Sequence, residues 1–192
     1  MKRIATLLVG LLFAILTAAA QDGIYNGIMV LESSNKDFDI KTTDNIGGTL
    51  NYHVELYTDG KDIQYCLSFA FDESKKFMMI PTYCTLLLKT KKDEVIELRA
   101  LYTYDDPGGD KVGWAYFPIS EEDLEKIVND GVIKFRMEVI ATIDHHKTLG
   151  EKEWKMDSFG ASIKSMVADV DKQWEKKKKK FVASQKDIHS EF

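Results

Sequence analysis

The chain has 192 residues, 44% of them hydrophobic and 30% charged, with a formal net charge of −5. That length holds one domain with a full core. The acidic balance argues against a general nucleic-acid binder, because counterion release on nucleic acid needs clustered Lys and Arg.

Residues 1–20, MKRIATLLVGLLFAILTAAA, place Lys2 and Arg3 ahead of an apolar run that ends in small residues. This is the three-part layout of a secretory signal peptide. The run is at the short limit for a bilayer span, and its far flank is alanine, not basic. Cleavage after Ala20 is expected, leaving a chain that starts at Gln21. No cysteine follows the run where a bacterial lipoprotein would be acylated, so the expected product is exported and soluble. Loss of Lys2 and Arg3 takes the formal charge from −5 to −7. Residues 21–183 then read as one β-rich domain that includes a C-terminal helix, and 184–192 as a frayed tail.

Period-two patterns dominate from Thr49 to Ala141. In TLNYHVELYTDG, Leu50, Tyr52, Val54 and Leu56 share one face while Asn51, His53 and Glu55 take the other. That predicts a strand with one dry and one wet side, as antiparallel sheets have. Asp59-Gly60 marks a turn, and Ile63, Tyr65, Leu67, Phe69 and Phe71 resume the apolar face. Further strands are expected over Thr82 to Thr90, Glu94 to Tyr104 and, beyond the turn-rich DDPGGD of Asp105 to Asp110, Lys111 to Ile119. Ser120 caps a short helix whose Glu121, Glu122 and Asp123 suit its positive end. Leu124, Ile127 and Val128 give that helix an apolar stripe, and Gly131 stops it. Ile133, Phe135, Met137 and Val139 then alternate with Lys134, Arg136 and Glu138 in another strand.

Cys66 and Cys84 are the two cysteines, and export makes a disulfide chemically possible. If DIQYCLSFAF and TYCTLLLKT pair as a hairpin centred near residue 75, the two fall opposite each other. Closing that loop would stabilise the fold by roughly 3 kcal/mol. Two buried free thiols are the alternative.

Four features bear on chemistry. Asp144-His145-His146, in TIDHHKT, resembles the metal-binding tripeptide of the DHH phosphoesterases, which would make Asp144 and His146 metal ligands. Two-metal hydrolysis needs several more carboxylates and histidines around ions roughly 3.5 to 4 Å apart, and those companions are missing. Those enzymes also use parallel sheets, whereas strand follows strand here. A polar strand end leading into the charged loop KTLGEKE explains the same letters, with adventitious zinc or copper binding as a further option. DDPGGD offers oxygen ligands for calcium but lacks the spacing of an EF-hand loop, so a turn is expected. Trp114, Tyr116, Tyr102 and Tyr104 could stack on sugars, although Tyr and Trp are ordinary strand residues.

The last feature lies in the tail. Phe159, Ile163, Met166, Val167, Val170, Trp174 and Phe181 fall in one arc at helical periodicity, which predicts an amphipathic helix from about Ser158 to Phe181. Within it, Lys176, Lys177, Lys178, Lys179 and Lys180 offer an anionic-surface contact. Lys177 and Lys178 flank the apolar arc while the others point away, so a solvated helix end accounts for the run as well.

The succession LLLKTKKDEVIEL, YFPISEEDLEKIVNDGVIKFRMEV and SFGASIKSM, over roughly Thr82 to Val170, resembles a set of small exported proteins of unknown function from Bacteroidota-type bacteria. The resemblance implies a β-rich fold and a Gram-negative envelope location, and brings no catalytic residue, substrate or cofactor. The expected architecture is α+β, an antiparallel sheet or small sandwich of about six to eight strands with a short crossover helix and a long C-terminal helix. The expected function is an exported, non-enzymatic protein without a cofactor that binds or scaffolds an envelope protein or glycan. The alternatives are a metal-dependent hydrolase using Asp144 and His146, and a module for glycan or anionic surfaces. Periplasm, outer-membrane face and medium are all compatible destinations.

Overall fold

Three short strands precede the alternating run: β1 (Gly23–Tyr25), β2 (Ile28–Glu32) and β3 (Lys36–Lys41). They pair with one another or with the long β4 (Gly47–Thr58), which in turn forms a hairpin with β5 (Ile63–Asp72). The structure is a computed structural model that describes residues 23–25, 27–41, 47–72, 77–79, 84–104, 114–143, 146–155 and 159–190. The β4–β5 connection follows from its residues. Asp59 Oδ1 accepts the backbone N–H groups of Lys61 at 2.8 Å and Asp62 at 2.9 Å. Gly60 has φ +93°, a conformation that costs glycine little.

Beyond β5 the chain places β6 (Phe77–Met79), β7 (Thr85–Thr90), β8 (Val95–Arg99), β9 (Tyr102–Tyr104) and β10 (Trp114–Ile119). Helix α1 (Glu121–Asp130), β11 (Val132–Ile143), β12 (His146–Lys155) and helix α2 (Phe159–Ser190) complete it. These strands form two antiparallel sheets. The first has the order β1-β2-β4-β5-β10-β9 with β3 also paired to β4, and the second β12-β11-β7-β8 with β6 also paired to β11. The result is a sandwich-like α+β fold, with twelve described strands where about six to eight were expected. The excess comes mostly from short strands that carry too few residues to show a period, and from the ten-residue β12, which lacks apolar alternation.

The inner faces meet around aromatic rings. Phe69 of β5 lies 6.0 Å from Tyr52, 5.8 Å from Phe117, 6.0 Å from Phe135 and 6.3 Å from Phe159, centroid to centroid. One ring therefore touches both sheets and α2. The buried side of α2 is the expected arc, with Phe159, Ile163, Met166, Val170, Trp174 and Phe181 all in the core and Val167 packed against it. Polar bonds fix its position: Tyr65 donates to Asp171 at 2.6 Å, and the Gln173 and Gln185 amides donate to the carbonyls of Glu32 at 2.9 Å and Gly27 at 3.1 Å. Helix α1 forms as read, with Ser120 Oγ accepting the Asp123 N–H at 3.1 Å and Gly131 at φ +71° ending it.

Four expectations change. The stretch from Glu94 to Tyr104 is two strands in different sheets. The Ala100 N–H donates to the carbonyl of Cys84, the residue before β7 of the second sheet, and the next one, Leu101, to that of Tyr116 in the first. KTLGEKE is strand, not loop: β12 pairs with β11 from Ile143–His146 to Lys134–Lys155. Its charged residues were read as loop because they lack apolar alternation, but an edge strand needs only backbone pairing on one side. Helix α2 runs to Ser190, through the segment from Ser184 that was expected to fray. Finally, the hairpin that would set Cys66 against Cys84 does not form, because β5 pairs with β4 and β10 while β7 pairs with β11 and β8.

Candidate functional site

The polar face of β4 was expected to be wet, and it is not. His53 is 4% exposed, Glu55 3% and Tyr57 3%. Register explains what surrounds them. On the outer face of the first sheet Glu32 of β2 stands directly opposite Glu55, which stands opposite Cys66 of β5, and His53 stands opposite Ser68. Residues opposite each other in an antiparallel pair hold their Cβ atoms about 4.5 to 5.5 Å apart, so this is one contiguous patch. Ile28, Val30 and Tyr116 pack against its Tyr57–Cys66 end.

Within the patch, Glu55 is the hub. One carboxylate oxygen lies 2.9 Å from His53 Nε2, and the other accepts the Tyr57 hydroxyl. Glu32, half-buried, completes a set in which one donor atom each from Glu32, His53 and Glu55 lies within 4.8 Å of the others. The Ser68 hydroxyl is fully buried and has no hydrogen-bond partner among the described residues. The backbone around Glu32 is pinned: Ser33 exchanges bonds with Val54 at 2.9 and 3.0 Å, and Gln173 on α2 holds the Glu32 carbonyl.

Electrostatics follow from burial and from Glu55. The Tyr57 phenol is pushed well up from its ordinary value, chiefly by burial and then by the Glu55 charge. The Cys66 thiol is pushed up by the same two causes in the same order. Both groups therefore stay protonated, Tyr57 as a donor to Glu55 and Cys66 as a neutral thiol that is neither nucleophile nor ready metal ligand.

The arrangement of Ser68, His53 and Glu55 has the residue types of a hydrolytic triad without its wiring. Such a triad requires the base to be hydrogen-bonded to the nucleophile. Here His53 Nε2 is engaged by Glu55, and Ser68 Oγ bonds to none of the described residues. What the set can do is hold a cation or a small polar ligand between an imidazole and two carboxylates.

Of the residues singled out from sequence, Cys66 and Tyr116 border this patch. Asp144 and His145 fall outside the described residues, and His146 is described in backbone only, opposite Ile143. Asp105 to Asp110 also fall outside them. In backbone register β10 pairs Trp114 with Tyr104 and Tyr116 with Tyr102. Along the lysine run only Lys177 is half-buried, and Lys178 Nζ lies 5.8 Å above the Trp174 ring and 3.9 Å from Glu175.

Cys66 and Cys84 are free and buried in separate clusters, Cys66 beside Tyr57 and Cys84 in the main core. Ellman's reagent at pH 8 is accordingly expected to find no fast-reacting thiol in the native protein and two in the denatured, unreduced protein. A denatured protein with no free thiol would establish a bridge instead.

The signal for the His53–Glu55 pair was present in the sequence as two polar residues two apart on one strand face. Glu32 was not foreseeable, because it enters through the register of a strand whose existence the sequence did not announce. In comparisons with known proteins, no family model, no curated protein and no solved structure matches this chain.

Proposed function

We propose that the chain is an exported, non-enzymatic binding protein of the bacterial cell envelope, and that it holds its ligand at the Glu32–His53–Glu55 patch. The observation that supports this most is the convergence of three ionisable donors on the outer face of a sheet whose inner face is fully committed to the core. Burying such groups is costly unless they are paired or coordinate something. A rigid four-stranded floor of β2, β4, β5 and β10 suits holding better than catalysis, since a binding site is built from a few polar groups fixed by their scaffold. The layout of residues 1–20 and the resemblance to small exported proteins of Bacteroidota-type bacteria support the location. An envelope protein or glycan remains the wider partner class, reached through the rest of the surface.

Native mass spectrometry of the protein recovered from the bacterial envelope tests the reading. The expected result is a non-covalent adduct on the polypeptide that disappears on denaturation and is absent from a Glu55→Gln variant. Bare polypeptide mass in both would remove the site from the proposal.

A further inference from the structure

We propose that Glu32, His53 and Glu55 bind one divalent transition-metal ion of the zinc class, with Tyr57 orienting Glu55 from behind and Ser68 facing the site from the neighbouring strand. This rests on the binding reading above and names its ligand. The donor set decides the class. One imidazole and two carboxylates are borderline-to-hard donors that suit zinc and its neighbours, whereas calcium and magnesium take oxygen alone.

Geometry fits with little movement. Zinc bonds to nitrogen and oxygen donors are about 2.0 to 2.2 Å long, so donors around a tetrahedral ion sit roughly 3.3 Å apart. The three donor atoms already lie within 4.8 Å of one another, with His53 Nε2 and Glu55 Oε1 at 2.9 Å. A shift of half-buried Glu32, exchanging a present contact for the ion, would close the set. The ion takes the place of the His53 Nε2–Glu55 Oε1 hydrogen bond, and coordination is through neutral imidazole and ionised carboxylates.

The register itself points the same way. Opposed carboxylates across an antiparallel pair repel, and a cation between them turns the contact into an attraction. The Tyr57 hydroxyl on the far oxygen of Glu55 is the outer-shell bond that fixes a carboxylate ligand. The orphaned Ser68 hydroxyl, fully buried opposite His53, is a polar atom whose partner the described side chains do not supply. A water or hydroxide filling the fourth position of the ion would satisfy it, because three-ligand zinc sites keep that position open.

The test is isothermal titration of zinc chloride into the chelator-stripped protein, expressed in full and recovered as the cell processes it. A competing chelator sets the affinity window, and calcium chloride is a second titrant. One zinc per chain is expected, with affinity lower by roughly 100-fold in Glu55→Gln and His53→Gln, at least about tenfold in Glu32→Gln, and unchanged in His146→Gln. Circular dichroism melts of each variant confirm folding, and Glu32→Gln, at a half-buried position, keeps the test open if the buried substitutions unfold the chain. No zinc binding, equal affinity for calcium, or loss of zinc in His146→Gln but not in Glu55→Gln overturns the proposal. Absent zinc with an organic adduct that Glu55→Gln removes would sink the metal and leave the binding reading standing; absent zinc with no adduct sinks both.

Discussion

Phe69→Ala is expected to destabilise the fold by about 3 to 5 kcal/mol, read as a lower urea midpoint at unchanged slope. The side chain is fully buried in β5. Its ring meets Tyr52 of β4 and Phe117 of β10 within its own sheet, Phe135 of β11 in the facing sheet, and Phe159 at the start of α2, stacked at an interplanar angle of 10°. Deleting it removes transfer free energy and leaves a cavity bounded by four separately anchored elements, none of which can collapse inward without dragging its own strand or helix. Against a typical net stability of about 5 to 15 kcal/mol, that loss brings the protein near the unfolding threshold at 37 °C. Phe69→Leu, which fills most of the space, should recover well over half. A loss below about 1 kcal/mol for the alanine variant would mean that the sheets and α2 are not held through this ring.

That ring was legible beforehand, because Ile63, Tyr65, Leu67 and Phe69 alternate and the strand turns back on Leu50 to Leu56 through Asp59-Gly60. Pattern of this kind survives because one face is buried over many residues, so each inward position must be apolar. The α2 arc was legible for the same reason at helical period. What the sequence hid is how strands are shared between layers. Glu94 to Tyr104 reads as one run, yet the chain crosses from one sheet to the other at Ala100 and Leu101 without a glycine or proline to mark it. The Cys66–Cys84 hairpin failed on the same point: symmetry about residue 75 is a statement about sequence distance, while pairing is decided by which inner faces must meet.

The candidate site was half legible. His53 and Glu55 stand out as polar residues on a strand, but polarity alone assigns them to water, and only the full sheet shows that Tyr57, Cys66 and Ser68 share that face with them. Glu32 needed β2, five residues whose burial alternates only weakly from half-buried to buried. Sites assembled across strands are encoded in register, and register is set by contacts far apart in the chain. The Asp144-His146 motif shows the converse: a compact string of ligand types catches the eye, while a spatial set spread over Glu32, His53 and Glu55 does not.

Gly160→Ala should cost about 1 to 3 kcal/mol, although helix propensity taken alone favours alanine by about 1 kcal/mol. Gly160 is the second residue of α2 and is buried. A Cβ there would meet Gly131 Cα and the Val132 nitrogen at 2.7 Å and the Gly131 carbonyl carbon at 3.2 Å. These are backbone atoms at the link between α1 and β11, so no rotamer change can clear them. Gly131 is itself fixed, at φ +71° with its N–H bonded to the Ile127 carbonyl at 3.2 Å. The helix must therefore move off, and Phe159, one residue earlier, moves with it away from Phe69 and Phe135. Ser165→Ala, on the exposed side of α2, serves as the control and should leave stability unchanged or slightly raised. Equilibrium urea unfolding of both variants decides the matter: if Gly160→Ala is as stable as the parent, the close approach of α2 to the α1–β11 link is not what seats Phe159, and helix propensity outweighs packing at this junction.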